Sequence, residues 1–257
     1  MILTIEIGNS TITLGGVEGD EIRFECRINP ARVKTSDTYC IDLKTLFEIY
    51  GVALPSIEGV IISSVVPQVM NSVRTAIRKL LDLEPLIVGP GLKTGLNIRL
   101  ENPGQMGAGL VAADVAALAE YKPPLIIIDM GTATTMSVLD PDGAHLGGCL
   151  CPGVKISLDA LTSRTSLLPG IQLASPRQAV GRNTADAMRS GIMFGNAAML
   201  DGMIARFAQE TGWDFTILAT GRLAERIAPL CRHEIIVDRH LVIKGLVALY
   251  RLNSLRA

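Results

Sequence analysis

The sequence has almost no net charge of either sign. Its 24 Lys and Arg balance 25 Asp and Glu, leaving a net charge of -1, and the two signs are interspersed. That count excludes a polybasic nucleic-acid surface and an acidic tail. Long apolar runs are missing as well. Hydrophobic residues make up 48% of the chain, yet the uninterrupted stretches are only of strand length, too short for a membrane span. Met1-Ile2-Leu3-Thr4-Ile5-Glu6 lacks the charged region and apolar segment of a signal peptide. The three His are dispersed, so Cys149-Leu150-Cys151 has no ready co-ligands for a metal. Five Cys in 257 residues fit a reducing compartment better than a disulfide framework. Linkers, low-complexity segments and tails are not seen. These absences predict a cytoplasmic protein whose partners are neither nucleic acid nor membrane. The length suits one large domain or two small ones.

What is present centres on residues 125–135. Leu125-Ile126-Ile127-Ile128 runs straight into Asp129, and Gly131, Thr132, Thr134 and Thr135 follow. A short apolar run between Pro123-Pro124 and a Gly reads as a fully buried strand. A carboxylate at the end of such a strand is costly unless it is paired or holds a cation. Gly131 lets a phosphate approach the backbone, and Thr hydroxyls can donate to its oxygens. The stretch reads as a phosphate-and-cation turn at a hairpin. Taken alone, it also suits an ordinary hairpin with Asp as a turn residue.

The N-terminus repeats this grammar. Residues 2–7 form a strand ending at Glu6-Ile7-Gly8-Asn9-Ser10, and strands from Thr11 to Val17 and from Ile22 to Ile28 complete a meander. Strand, acid, Gly, hydroxyl-rich turn, strand: two such units suggest a duplicated fold with one phosphate turn from each half.

Between and after these units the pattern alternates. Ser36 or Asp37 caps a helix reaching Tyr50-Gly51, residues 60–66 form a central strand, and Pro67 opens a helix to about Leu81. A short strand at 85–88 precedes a loop over 89–105, long enough to be functional. The helix at 106–120 carries an apolar stripe of Leu110, Val111, Val115 and Leu118. A strand at 145–150, a helix from Pro152-Gly153 through Thr162 and a loop over 165–183 follow. The helix at 184–211 carries Met188, Ile192, Met193, Met199, Leu200, Met203, Ile204 and Phe207. That is more apolar surface than one flank of a sheet needs, which points to a partner. Strands at 213–220 and 233–237 and helices at 222–229 and 241–252 close the chain.

Glu6-Ile-Gly-Asn-Ser, Ser63-Ser-Val-Val-Pro, Gly89-Pro-Gly-x-Lys-Thr-Gly, Asn102-Pro, Asp129-x-Gly-Thr-Ala-Thr-Thr, Gly147-Gly-x-x-x-Pro-Gly, Asn183-Thr and Ala219-Thr-Gly stand in this order. The ordered set resembles the type III pantothenate kinases from end to end. The resemblance implies an α/β fold of two ribonuclease-H-like domains around a nucleotide cleft, as in actin, sugar kinases and Hsp70. The expected domains are 1–115 and 116–257, the second carrying a dimer helix. It also implies a homodimer, ATP with Mg, a monovalent cation (K or NH4), and pantothenate or a related small molecule as substrate.

Residue by residue, the family pattern maps unevenly. The nucleotide-binding positions are Glu6, Gly8, Asn9, Ser10, Thr11, Gly131, Thr132, Thr134 and Gly221. Asp129 matches the monovalent-cation ligand. Glu6 stands where the family has Asp, keeping the charge on a longer arm, so a metal site there would be altered. After Asn102-Pro the family reads Gly-Ala-Asp-Arg, with the Asp as proton acceptor and both Asp and Arg on the substrate. Here Gly107-Ala108-Gly109-Leu110 lacks both groups, so no catalytic residue is intact. A substrate-contacting Tyr corresponds to Leu100, while Thr184 is kept. Asp114, five residues past Gly109 on a helix, is turned about 140° away, and Glu101 is the nearer carboxylate. Two functions remain open: a pantothenate kinase with impaired or altered activity, or a catalytically degenerate paralogue with a nucleotide-binding or regulatory role.

Overall fold

A computed structural model describes residues 1–30 and 34–254. The chain divides into two compact units, the first made of residues 1–95, 102–116 and 241–257, the second of residues 96–101 and 117–240.

In the first unit, β1 (Ile2–Ile7) buries Leu3, Ile5 and Ile7 on one face. β2 (Ile12–Glu18) and β3 (Glu21–Ile28) extend it as an antiparallel meander. α1 (Ser36–Ile49) buries Tyr39, Leu43 and Phe47, spaced four apart on one face. Its N-cap is Thr35 rather than Ser36 or Asp37: the Thr35 hydroxyl accepts from the Thr38 N–H at 3.3 Å. β4 (Gly59–Ser64) lies parallel to β1. α2 (Pro67–Leu81) starts on a proline, which needs no N–H there, and stops at left-handed Asp82. β5 (Leu86–Ile87) completes a sheet of order β3-β2-β1-β4-β5. Leu3, Ile5 and Ile7 share one core with α1 and α2 residues such as Phe47, Val73 and Ile77. α3 (Ala108–Glu120) begins after a short 3-10 turn at Pro103–Gln105.

The second unit repeats the plan. β6 (Leu125–Met130), β7 (Ala133–Leu139) and β8 (His145–Pro152) form the meander, and α4 (Val154–Ser163) and α5 (Thr184–Thr211) follow. β9 (Thr216–Thr220) runs parallel to β6, and α6 (Ala224–Ile227) leads to β10 (Ile236–Val237). The order β10-β9-β6-β7-β8 mirrors the first sheet, with the same senses of pairing. The duplication read from two short turns is therefore built into both sheets.

The apolar surplus of α5 has an internal explanation. Met188, Ile192, Met193, Leu200 and Ile204 are buried, and Met199, Met203 and Phe207 pack on the same core, joined by Leu168, Ile171 and Leu173 of the preceding loop. The exposed middle of α5 is instead small: Gly191, Gly195, Ala198 and Gly202. Asp201 anchors the helix to the chain after α6. Its carboxylate accepts from the Arg232 and His233 N–H groups and lies 2.7 Å from His233 Nδ1.

α7 (Leu241–Ser254), read from sequence as part of the second half, packs on the first unit's sheet. Glycines make this possible. A Cβ on Gly59 would sit 1.8 Å from the Tyr250 hydroxyl, and one on Gly245 would sit 1.8 Å from the Ala112 carbonyl oxygen. The close approach of α7 also sets which face of α3 is buried. Val111, Ala112, Ala113, Asp114 and Ala116 are buried, while Leu110, Val115 and Leu118 are only partly so, in place of the expected stripe. Replacing Gly245 with Ala forces a methyl into a backbone carbonyl, and overpacking of this kind costs about 1–3 kcal/mol. Urea unfolding of Gly245→Ala is expected to report a loss of that size, and an unchanged midpoint would contradict the packing described.

Candidate functional site

The second unit's turn grows from the end of β6. Three buried isoleucines deliver Asp129 to the strand end, where it lies opposite Thr135 of β7 and beside Thr220 of β9. Met130 lies opposite Thr134 on the alternate face. Two glycines from distant parts of the unit press on the turn's backbone. A Cβ on Gly153 would fall 2.1 Å from the Thr132 carbonyl oxygen, and one on Gly221 would fall 2.7 Å from the Met130 carbonyl. Gly221 also has a φ of +91°, which an L side chain adopts only with strain. Any other residue at either position must displace the turn. Gly153 is not among the residues expected of the site from the sequence. The signal was there in the Pro-Gly pair that opens α4.

Electrostatically this turn is short of positive charge. Burial pushes the Asp129 carboxyl up from 3.8 to about 6. The hydroxyl oxygens of Thr134 and Thr135 are buried without a hydrogen-bond partner. A desolvated carboxylate opposite a bare hydroxyl is a donor set suited to a hard cation, for which oxygen ligands are the rule. Gly131 is exposed and Thr132 partly so, leaving this backbone open to a ligand. Three of the five cysteines are held as neutral thiols. Burial raises the thiols of Cys149 and Cys26 to about 11 and of Cys231 to about 12. Among the described residues no group of three or more His, Cys, Asp and Glu side chains could hold a metal.

In the first unit, the Gly8 N–H donates to the Thr11 carbonyl at 2.9 Å and closes the turn. Asn9 and Ser10 are exposed on it, and Thr11 is half-buried. Glu6 lies opposite Thr13 and beside buried Ser63. The structure brings Glu6 together with the first turn of α3: a Cβ on Gly109 would lie 3.4 Å from Glu6 Oε1. Gly107 and Leu110 are neighbours, with Leu110 Cγ 3.8 Å from a Cβ on Gly107, and Ala108 is the first residue of the helix. Asp114 is fully buried, so no substrate reaches it as a base.

Leu100 and Thr184 belong to the second unit. The segment before Leu100 is clamped to β8: Arg99 N–H donates to His145 carbonyl at 2.9 Å, His145 N–H to Asn97 carbonyl at 2.8 Å, and the Arg99 guanidinium meets Asp140 at 3.0 Å. Leu100 thereby sits over Gly147, where a Cβ would be 3.5 Å from Leu100 Cδ2. Thr184 is exposed at the start of α5, behind Asn183, whose side chain caps the Asp186 N–H at 2.9 Å. Glu101 and Gln105 are exposed.

The type III pantothenate kinase family matches residues 2–206. A type III pantothenate kinase of an Exiguobacterium species is 42% identical over 254 residues, covering 99% of this chain and 100% of its own length. One from Brevibacillus brevis is 42% identical over 256 residues, covering 99% and 100%. Among solved structures, a protein provisionally named 2-dehydro-3-deoxygalactonokinase from Sinorhizobium meliloti superposes with a TM-score of 0.66 at 14% identity, covering 100% of this chain and 98% of its own. This likeness shows the fold, an α/β arrangement with two mixed five-stranded sheets. By full-length likeness to its relatives, the chain belongs to the type III pantothenate kinase family.

Proposed function

We propose that the chain phosphorylates pantothenate with ATP and Mg, the first step of coenzyme A biosynthesis, and that its grip on pantothenate is weakened. The observation that carries this is the second unit's turn: a backbone pinned by Gly153 and Gly221, with a half-buried, desolvated carboxylate and bare hydroxyls. Phosphoryl transfer is mostly positioning and charge stabilisation, and a rigid turn of this kind supplies both. Gly131, Thr132, Thr134 and Gly221 are assigned to the nucleotide in the second unit, and Gly8, Asn9, Ser10 and Thr11 in the first. Asp129 is the ligand for a monovalent cation, K or NH4, which would neutralise the desolvated charge. Gly107, Ala108, Gly109 and Leu110 in the first unit, and Leu100 and Thr184 in the second, are assigned to pantothenate. Leu100 and Leu110 offer apolar surface where the family pattern has polar groups, so the alteration falls chiefly on substrate binding. We further assign a homodimer through α5. Its support is the exposed Gly191, Gly195, Ala198 and Gly202, which permit close backbone approach.

The test is phosphorus NMR of full-length protein with ATP, Mg, KCl and pantothenate. A new phosphate monoester is expected only when all components are present. Nucleotide binding with no monoester at any pantothenate concentration would instead identify the degenerate, regulatory paralogue.

A further inference from the structure

We infer that Glu6 replaces the carboxylate missing at position 109 and receives the proton of the alcohol that is phosphorylated. This rests on the kinase reading above and names a residue of the same site. Two ladders fix where Glu6 begins, since β1 pairs with Thr13 on one side and Ser63 on the other. Its carboxylate then reaches the first turn of α3, with Oε1 3.4 Å from a Cβ built on Gly109. A carboxyl group carried on that Cβ would compete with Glu6 for one volume. Two carboxylates so close cannot both ionise without a large cost. Glycine at 109 and glutamate at 6 are therefore physically complementary. The longer arm from the sheet fills the place that a shorter arm from the helix would take.

Within the first turns of α3 no other side chain can take the proton. Leu110 cannot accept a proton, and Asp114 is fully buried. The first-turn N–H groups of α3 favour a negative charge beside them. In the step assigned, the alcohol O–H proton moves to the Glu6 carboxylate as the new O–P bond forms. The bond between the γ-phosphorus and its bridging oxygen breaks, and its electron pair leaves on ADP. The proton then passes to water, restoring the carboxylate.

The experiment compares the full-length chain with Glu6→Gln, Glu6→Asp, Gly109→Asp and the Glu6→Asp/Gly109→Asp pair. Turnover is measured at saturating pantothenate across Mg concentrations, and MgATP binding by calorimetry. Glu6→Gln is expected to lower kcat about 10²–10⁴-fold at saturating MgATP, the usual loss of a general base, with no recovery at high Mg. Glu6→Asp alone is expected to lose activity as well, because its arm is too short. Adding Gly109→Asp should restore most of it, whereas Gly109→Asp alone should give no gain. The inference is overturned if Glu6→Gln keeps its kcat, if high Mg rescues it, or if the pair is no better than Glu6→Asp. No turnover by the unaltered chain overturns the kinase reading along with this one. Turnover that survives Glu6→Gln overturns only the assignment of Glu6.

Discussion

In buffer free of K, NH4 and nucleotide, Asp129→Asn is expected to be more stable than the unaltered chain at pH 8, by about 2–3 kcal/mol. Burial raises the Asp129 carboxyl from 3.8 to about 6, and each pH unit corresponds to about 1.36 kcal/mol. The sign follows from the raised value. The folded protein favours the protonated acid, so ionisation is a penalty on folding. That penalty is absent below about pH 4, grows between the two values and is complete above about pH 6. Asn keeps the shape without the charge and escapes it. The two proteins should therefore converge in urea stability near pH 4 and separate by pH 8. Added K should stabilise the unaltered chain and leave the variant unmoved, because only a carboxylate gains from the cation. Kinase activity should move the other way and fall in the variant. Equal stability at pH 8 would mean that the turn is already neutralised by a group of the protein.

Leu110→Arg is expected to lower the KM for pantothenate by roughly 10–100-fold. A hydrogen bond to a charged group contributes about 1.5–3 kcal/mol, and each 1.4 kcal/mol is about tenfold in affinity. The geometry permits the change. Leu110 is only partly buried in the first turn of α3, so a guanidinium can extend outward while its stem covers the Gly107 contact. A cation near a helix N-terminus is opposed by about 0.3–1 kcal/mol, too little to cancel the gain. The change should appear in KM and much less in kcat, since the Arg holds ground state and transition state alike. Leu100→Tyr, over Gly147, should add a smaller gain. An unchanged KM would mean that pantothenate does not reach the first turn of α3.

How far the sequence could be read depended on whether a feature was local. The run Leu125 to Ile128 ending in Asp129 is a strand by composition alone, and α2 is bounded by Pro67 and ends at Leu81 as read. The duplication was visible because both hairpins repeat acid, Gly and hydroxyl in a fixed spacing, and the sheets carry the same order. Features set by distant chain segments were not visible. The stripe on α3 follows helical period, yet Gly245 lets α7 reach the backbone at Ala112 and the alanine face is buried instead. The apolar residues of α5 looked unpartnered because nothing local says that Leu168, Ile171 and Leu173 fold onto them. In the site, Glu6 and Gly109 each read as a departure from the family pattern. That one side chain reaches the other is a tertiary fact, and only the structure carries it.

The most direct measurement is the steady-state rate of ADP release by the unaltered chain, with saturating MgATP and KCl, as pantothenate is raised. Saturable, pantothenate-dependent release is expected, with a raised KM and a kcat toward the lower end of the kinase range of about 1–100 per second. Release that stays at the level of a control without pantothenate, at every concentration tried, would contradict it.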